Sequence, residues 1–164
     1  MEYQHVIHGF EPVFDKNSRI LILGSLPSVK SREQGFYYGH PRNRFWTVIA
    51  AVTGRDVPVT IPQKKLLLLE TGIAMWDVVS ECDIAGSADS KIKNVIPADL
   101  SRITDKCRIN AVYANGSTAA ALYRKYQQSV IGMEITLLPS TSPANAAWST
   151  EKLIKEWKRV ITKQ

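Results

Sequence analysis

The sequence predicts an α/β fold, a three-layer αβα sandwich around a small, mainly parallel sheet of four strands. Four apolar runs have the length and β-branched content of strands, and their hydrophobicity is nearly continuous rather than alternating. Such strands are typical of a sheet that is covered on both faces. Helical patterns separate the runs, and alternating strands and helices build this kind of sandwich. The predicted strands are Arg19–Leu23, Ile73–Val78, Arg108–Ala114 and Met133–Leu138.

The helical segments carry recognisable start and stop signals. The first ends at Thr53-Gly54, and glycine commonly follows the last turn of a helix. The second begins with proline, which a first turn tolerates. The third is rich in alanine, and the last has an apolar stripe with most of its basic residues away from it. The predicted helices are Arg44–Val52, Pro62–Glu70, Ser117–Gln127 and Ser149–Lys163.

Length and composition predict one domain over residues 1–164, because no composition break divides the chain. The longest apolar run, Leu66–Leu69, is far shorter than a membrane span, so we expect no membrane partner. The first residues lack the pattern of a signal peptide, and we expect a cytoplasmic monomer. Lysine and arginine number 21 against 15 acidic residues, a net charge of +6 that makes nucleic acid a plausible partner.

Several chemistries are disfavoured by the absence of their motifs. Cys82 and Cys107 form no CxxC pair, and His5 and His8 have no second ligand pair, so we expect neither a metal nor a cofactor. We interpret both histidines as surface residues of an N-terminal arm. No glycine-rich nucleotide motif follows a strand. Ser25 lies outside a GxSxG elbow, which argues against a serine hydrolase.

Ligands of open α/β sheets bind beyond the carboxyl ends of the strands, so the loops at these ends are the candidate site. The segment after the first strand is long and combines cations with aromatic residues, which suits a groove that holds phosphates and stacks bases. Alternatively, its aromatic residues fill the core. We expect that role for Phe45 and Trp46, and exposure in a site for Tyr37 and Tyr38.

The other three strand ends each allow two interpretations. Asp77 is either a helix cap or a pocket residue. Asn115-Gly116 is read first as a turn that starts the next helix, with a site role as the alternative. The loop Leu138–Asn145 has hydroxyl residues between prolines, and it either holds a phosphate or forms a well-capped turn.

Three motifs at these strand ends resemble those of the uracil-DNA glycosylase superfamily. They are Gly24–Ser28 (GSLPS), Gly35–Trp46 (GFYYGHPRNRFW) and Leu138–Asn145 (LPSTSPAN). The middle motif resembles the mismatch-specific uracil/thymine branch, whose members carry a similar aromatic–His-Pro-x-Asn-x-Phe-Trp run. The whole pattern, from Arg19 to Lys163 in motif order, looks most like the hypoxanthine-DNA glycosylase (DNA-deoxyinosine glycosylase) branch.

Three departures from the uracil branches bear on the mechanism. Leu26 occupies the position at which the uracil and mismatch branches hold an attacking water with Asp or Asn. Ser140 matches a histidine that stabilises the departing base, and Ala144 matches a bulky wedge residue. The resemblance to the hypoxanthine branch implies that the catalytic role moves to Asn43.

The resemblance also implies roles for the surrounding residues. It places Tyr38 where an aromatic ring stacks on the extruded base and Asp77 where the base edge is read. The predicted base pocket comprises Ser25, Leu26, Tyr38 and Asp77. The Ser/Pro turns and nearby cations would hold the flanking phosphates, and Asn145 would approach the gap or the opposite strand. The predicted DNA-binding residues are Ser28, Lys30, Arg42, Ser140, Ser142, Pro143 and Asn145, with Arg32 adding charge.

The implied activity is DNA repair by a monofunctional glycosylase that removes a flipped, deaminated base, hypoxanthine above all, from double-stranded DNA. Three alternatives remain open. One is a uracil or G·T/U mismatch glycosylase, and another is a lesion-binding relative with weak catalysis, which Leu26 and Ser140 suggest. The third is a binder of small nucleosides or nucleotides that uses the same strand ends.

Overall fold

A computed structural model describes residues 2–85 and 92–161 of the chain. Its central element is a four-stranded parallel sheet with the order β3-β2-β6-β7. The strands are β2 (Ile20–Gly24), β3 (Ile73–Asp77), β6 (Ala111–Asn115) and β7 (Ile135–Leu138). All five residues of β3 are buried, as expected for a strand covered on both faces. The predicted α/β fold with four parallel strands is confirmed.

Four longer helices follow the predicted segments, with shifts of at most one residue at the ends that can be compared. They are α2 (Phe45–Thr53), α3 (Ile61–Glu70), α5 (Ser117–Tyr126) and α7 (Thr150–Ile161). Helix α3 packs against β3, α5 against β6 and β7, and α2 against α7. The predicted extension of the last helix to Lys163 lies outside the described residues. Within the described ranges, no helix is long and apolar enough to cross a membrane.

Two of the predicted strands begin later than expected. The third begins at Ala111 instead of Arg108, and the fourth at Ile135 instead of Met133. The backbone N–H of Asn110 donates to the Arg19 carbonyl just before β6 begins. The apolar residues ahead of these strands pack against the core without joining the ladder, which is why hydrophobicity alone overextends both strands.

A second, antiparallel sheet was not predicted. It has the order β1-β4-β5, with β1 (Gln4–Ile7), β4 (Val79–Ile84) and β5 (Lys93–Pro97). Strand β1 buries only one of its four residues, so its sequence lacks a strong apolar signal. Beyond β1, the chain runs beside β3, where Val13 and Met75 exchange two backbone hydrogen bonds. The N-terminal segment therefore reaches the main sheet at the strand that ends in Asp77.

Three short helices were also absent from the prediction. They are α1 (Val29–Gln34), α4 (Ser101–Thr104) and α6 (Gln128–Ile131). Helix α1 lies inside the long segment after β2, where Ser28 caps its start and Gly35, at φ 71°, ends it. This helix makes the long segment an ordered wall of the site described next.

Candidate active site

A cavity of about 350 Å³ opens at the carboxyl end of the parallel sheet. The segments after β2, β3, β6 and β7 all contribute to its wall, as expected for an open α/β sheet. Of the predicted site residues, the cavity is lined by Ser25, Leu26, Ser28, Tyr38, Asn43, Asp77, Ser140 and Ser142. Lys30, Arg42 and Pro143 are exposed and lie outside its lining. Among the described residues, no His, Cys, Asp and Glu side chains group in a way that would hold a metal ion.

The side chain of Asn43 is held by two donors. Its Oδ1 accepts a hydrogen bond from the Phe45 backbone N–H at 2.9 Å and from the Thr141 hydroxyl at 2.8 Å. A backbone N–H can only donate, so the contact with Phe45 identifies the amide oxygen without ambiguity. The amide nitrogen, Nδ2, is therefore the part of Asn43 that remains available to a ligand.

Thr141 connects Asn43 to the end of β6. Its hydroxyl accepts from Asn115 Nδ2 at 2.9 Å, and its backbone N–H donates to Asn115 Oδ1 at 3.0 Å. Asn115, Thr141 and Asn43 thus form one chain of hydrogen bonds, in which the Thr141 hydroxyl is fully buried. Thr141 was missed as a site residue, because neither its type nor its place in LPSTSPAN separates it from the neighbouring hydroxyl residues.

Arg44 ties the loop after β7 to the start of α2. Its guanidinium donates to the carbonyl oxygens of Ser142, at 3.0 Å, and Asn145, at 3.2 Å, and also to that of Trp148. Its backbone N–H donates to the Thr141 carbonyl. The motif that contains Asn43 and the loop that contains Thr141 are therefore locked together by several bonds, which keeps the Asn43 amide in place.

Asp77 is a buried pocket residue and not a helix cap. Its Oδ2 lies 2.8 Å from His8 Nε2, and both side chains are 4% exposed. The interpretation of His8 as a surface residue is wrong, because the chain after β1 turns this ring inwards between Phe10, Tyr37 and Trp76. His5 is exposed as expected and hydrogen-bonds to Glu81 and Asp83 of β4.

Gly24 leaves the space that the Asp77 carboxylate occupies. A Cβ atom at Gly24 would lie 2.4 Å from Asp77 Oδ1 and 3.0 Å from the Tyr38 hydroxyl. The Gly24 carbonyl accepts from the Val78 N–H, so the backbone here cannot easily withdraw. Glycine at the end of β2 is therefore required for the carboxylate and the hydroxyl to approach the strand.

Tyr38 has a strained backbone and a supported ring. Its φ of 52° lies in the left-handed region, which is uncommon for a residue other than glycine. One face of its ring stacks on Phe45, with centroids 4.2 Å apart. Burial, followed by the Asp77 carboxylate, raises the pKa of Tyr38 well above its ordinary value, so the phenol is neutral. Its hydroxyl has no partner with good hydrogen-bond geometry among the described residues. Asn115 lies near the hydroxyl and lowers the pKa of Tyr38, but by less than burial and Asp77 raise it.

The neighbouring aromatic residue behaves differently from the prediction. Tyr37 is 2% exposed, and its hydroxyl donates to the Glu11 carbonyl at 2.6 Å. Its expected exposure is wrong, since the ring fills the core beside His8 and Phe10, but the residue does contribute to the lining of the cavity. Phe45 and Trp46 are buried as expected.

Leu26 and Ser25 close the wall near the second sheet. Leu26 packs against a small buried cluster built on that sheet, formed by Val6, Val79, Cys82 and Ile84. An aliphatic side chain offers no hydrogen bond to a water. Ser25 is buried, and its carbonyl accepts from the Val79 N–H at 3.1 Å.

The loop after β7 is a well-capped turn. Ser140 Oγ accepts from the Ser142 N–H, and Ser142 Oγ accepts from the Ala144 N–H, both at 3.1 Å. Asn145 Nδ2 donates to the Ser140 carbonyl at 3.0 Å, so this side chain braces the loop. The hydroxyl protons of both serines remain available as donors.

The cations near the cavity fall into two groups. Lys30 and Arg42 are both exposed, and Lys30 Nζ lies 3.6 Å from Glu33 Oε2. Arg32 instead lines the cavity, and its Nε is buried without a hydrogen-bond partner among the described residues. Lys30 and Arg42 thus lie at the surface, while Arg32 faces the cavity.

Comparison with known proteins gives concordant matches. The family model described as "Uracil DNA glycosylase superfamily" matches residues 11–163. A protein of Methanosarcina acetivorans named "Hypoxanthine DNA glycosylase" is 36% identical over 157 residues, which cover 93% of this chain and 96% of the relative. A protein of the same name from Methanosarcina barkeri is 36% identical over 139 residues, covering 84% and 87%. The solution NMR structure of a proposed uracil DNA glycosylase from Methanosarcina acetivorans superposes with a TM-score of 0.79 at 34% identity, covering 93% of this chain and 94% of that one.

Proposed function

Since this chain belongs to the uracil DNA glycosylase superfamily, we propose that it is a monofunctional DNA glycosylase that releases hypoxanthine from deoxyinosine in duplex DNA. The observation that carries the proposal is the presence, in one cavity, of the oriented Asn43 amide and the buried Asp77 carboxylate. Two relatives named for hypoxanthine support the choice of base. That the enzyme acts as a monomer in the cytoplasm is part of this proposal.

The target nucleotide must leave the base stack to reach the cavity. Tyr38 is supported by Phe45 on one face, and its other face is offered to the flipped base. Stacking of a base on an aromatic ring contributes about 1–3 kcal/mol and tolerates any base. Tyr38 therefore holds the base without identifying it.

Asp77 reads the edge of the base. Its carboxylate is an acceptor, and hypoxanthine offers an N1–H donor, whereas adenine has a lone pair at N1. A carboxylate close to that lone pair would be repelled, which separates the deaminated base from its parent. Uracil also has a ring N–H beside a carbonyl, so the same geometry accommodates a uracil glycosylase as the second candidate function.

Asn43 supports the chemical step without acting as a base. Because Phe45 and Thr141 occupy its Oδ1, its Nδ2 donates to the attacking water or to the departing base. The C1′–N9 bond breaks, the water oxygen bonds to C1′, and a proton of that water passes to the released base. An amide cannot remove this proton early, so we expect a largely dissociative reaction with a cationic sugar in the transition state.

The surface around the cavity suits the flanking phosphates. The hydroxyls of Ser28, Ser140 and Ser142, with Lys30 and Arg42, would position the backbone, and such contacts do not specify sequence. No lysine lines the cavity in the part of the chain that the structure describes, which supports a glycosylase without coupled strand cleavage.

The test is base release from matched duplexes that carry deoxyinosine, deoxyuridine, deoxyxanthosine, a G·T mismatch or an undamaged base. We expect release from deoxyinosine above the others, with strand breaks only after alkali. Asn43→Ala, purified in parallel, controls for glycosylases carried over from the host. Preferred release of uracil would favour the second candidate, and tight lesion binding without release of any base would contradict both.

A further inference from the structure

The residue that holds Asp77 directly follows the N-terminal strand and belongs to none of the three sequence motifs. His8 directly follows β1, and its backbone N–H donates to the Ser80 carbonyl of β4 at 2.7 Å. Its ring extends towards the end of β3, where Nε2 meets Asp77 Oδ2 at 2.8 Å. His8 itself does not line the cavity. Its hydrogen bond towards the cavity therefore runs through Asp77.

We propose that His8 is a positioning residue that determines base specificity by keeping Asp77 a pure hydrogen-bond acceptor. His8 Nε2–H donates to Oδ2, which leaves Oδ1 to accept the ring N–H of the flipped base. This inference rests on the proposed function, because it assigns how the site recognises a base with a donor at N1.

The geometry of the pair is constrained from both sides. Phe10 lies 4.4 Å from the His8 ring, between centroids, and Tyr37 and Trp76 lie at 6.0 and 6.4 Å, so the ring cannot turn freely. On the other side, Asp77 Oδ1 fills the space that a Cβ at Gly24 would need. The carboxylate therefore has one orientation, with one oxygen bound to His8.

The proposal assigns a direction to this hydrogen bond. With the Asp77 carboxylate as the acceptor, the shared proton belongs to Nε2 of His8. His8 Nδ1 is buried without a partner among the described residues, so nothing there competes for a different tautomer. Burying a polar group without a partner is costly, and its retention here is consistent with a role for the ring beyond packing.

Removal of this donor has a specific chemical consequence. His8 is the one side-chain donor to Asp77 among residues 2–85 and 92–161. A buried carboxyl group that loses such a donor either takes up a proton or turns away. A protonated Asp77 would present an O–H group, which donates to a lone pair at N1 instead of repelling it. Loss of His8 should therefore weaken the preference for bases with N1–H, beyond any loss of overall rate.

The experiment compares duplexes that differ only in the target base, deoxyinosine or deoxynebularine, whose unsubstituted purine has a lone pair at N1. In His8→Phe, which keeps a ring but no donor, we expect single-turnover release from deoxyinosine to fall about ten- to a hundredfold. The single-turnover rate for deoxyinosine divided by the rate for deoxynebularine should decrease by about tenfold or more. His8→Gln, whose amide can still donate, should keep both values within about threefold of wild type.

Two controls separate positioning from a structural role. His5→Phe changes the exposed histidine of β1 and should leave the ratio unchanged. In an Asp77→Asn background, His8→Phe should not narrow the ratio further, because the two residues act through one contact. The imidazole ¹⁵N spectrum of the wild-type protein needs no variant and should show a proton on Nε2 of His8, free and bound to a lesion duplex.

The outcomes distinguish this inference from the proposed function. If His8→Phe lowers release from both bases equally, or if the Nδ1–H tautomer predominates, the inference is overturned while the glycosylase activity stands. If the wild-type protein releases no base from any duplex, the proposed function fails and the inference falls with it. A narrowed ratio in His8→Phe that His8→Gln restores supports the inference.

Discussion

The cavity is bordered by two buried polar clusters that differ in origin. The amide cluster consists of Asn43, Thr141 and Asn115. Asn43 and Thr141 come from segments that follow strands of the parallel sheet, and Asn115 is the last residue of β6. The acid cluster consists of Asp77 and His8, and it joins the end of β3 to a residue delivered by the antiparallel sheet. In each cluster, hydrogen bonds orient one side chain that lines the cavity: the Asn43 amide in the amide cluster and the Asp77 carboxylate in the acid cluster.

This difference in origin corresponds to a difference in expected role. In the proposed function, the amide cluster acts at the bond that breaks, a bond common to every deoxynucleotide, whereas the acid cluster reads the base edge, which varies between substrates. Changes to the amide cluster should therefore lower the rate for all bases together. Changes to the acid cluster should alter which base is preferred. The predictions that follow test this division.

Asn43→Ala is expected to have the largest effect. Removing one preorganised polar group typically costs about 10²–10³ in rate, and this loss should be the same for deoxyinosine and deoxyuridine. Binding to a lesion duplex should survive, because the phosphate contacts are untouched. Single-turnover kinetics and titration of a labelled duplex measure the two quantities. A loss confined to one base would show that Asn43 also reads the base.

Gly24→Ala is expected to disturb the acid cluster by steric contact, without removing any hydrogen-bonding group. The added Cβ would lie 2.4 Å from Asp77 Oδ1, so the carboxylate must shift, and a displacement near 1 Å costs on the order of a hundredfold in rate. Release from deoxyinosine should fall more than release from deoxynebularine. Gly9→Ala is the matched control, since a Cβ there meets nothing within 4 Å. Equal losses on the two substrates would contradict the assignment of Asp77 to base reading.

Much of the amide cluster could be anticipated from sequence, because its residues follow apolar strands with clear signals. Continuous hydrophobicity identifies β2, β3, β6 and β7, and the topology of a parallel sheet then brings their carboxyl ends together. That reasoning indicated the segment after β2 and the loop after β7, and the resemblance to the hypoxanthine branch then implied Asn43 within the first of them. It did not indicate Thr141, since a hydrogen-bond partner depends on side-chain direction, which spacing does not provide.

The pairing of His8 with Asp77 in the acid cluster could not be predicted from the sequence. Strand β1 buries only Val6, so nothing in its pattern distinguishes it from an exposed arm, and His8 was interpreted as a surface residue. Its position follows from long-range pairing with β4 and from the path of the chain along β3. Tyr37 and Tyr38 illustrate the same limit, because both contribute to the cavity lining, yet Tyr37 is almost fully buried and Tyr38 is only partly buried.

Thr141→Val is expected to loosen the amide cluster while keeping its shape. The change removes the donor to Asn43 Oδ1 and the acceptor for Asn115 Nδ2 inside a buried site. We expect the free energy of unfolding to fall by about 1–3 kcal/mol and release of every base to fall about tenfold. Thr136→Val, at an exposed position of β7, is the control. Denaturant unfolding and base release measure the two effects, and an unchanged rate would argue that Asn43 needs no support from Thr141.

The smallest effects are expected at the surface, outside both clusters. Lys30→Ala and Arg42→Ala each remove one exposed cation beside the cavity, so each should make the log–log dependence of DNA affinity on salt shallower by about one unit. The ratio of deoxyinosine to deoxynebularine release should not change, because a phosphate contact carries no information about the base. Lys16→Ala is the control, since this exposed lysine lies before β2, at the opposite end of the sheet. Fluorescence titrations at several salt concentrations provide the slopes. A slope that changes equally in Lys16→Ala would mean that the charge acts through the overall field of the protein and not through local contacts at the cavity rim.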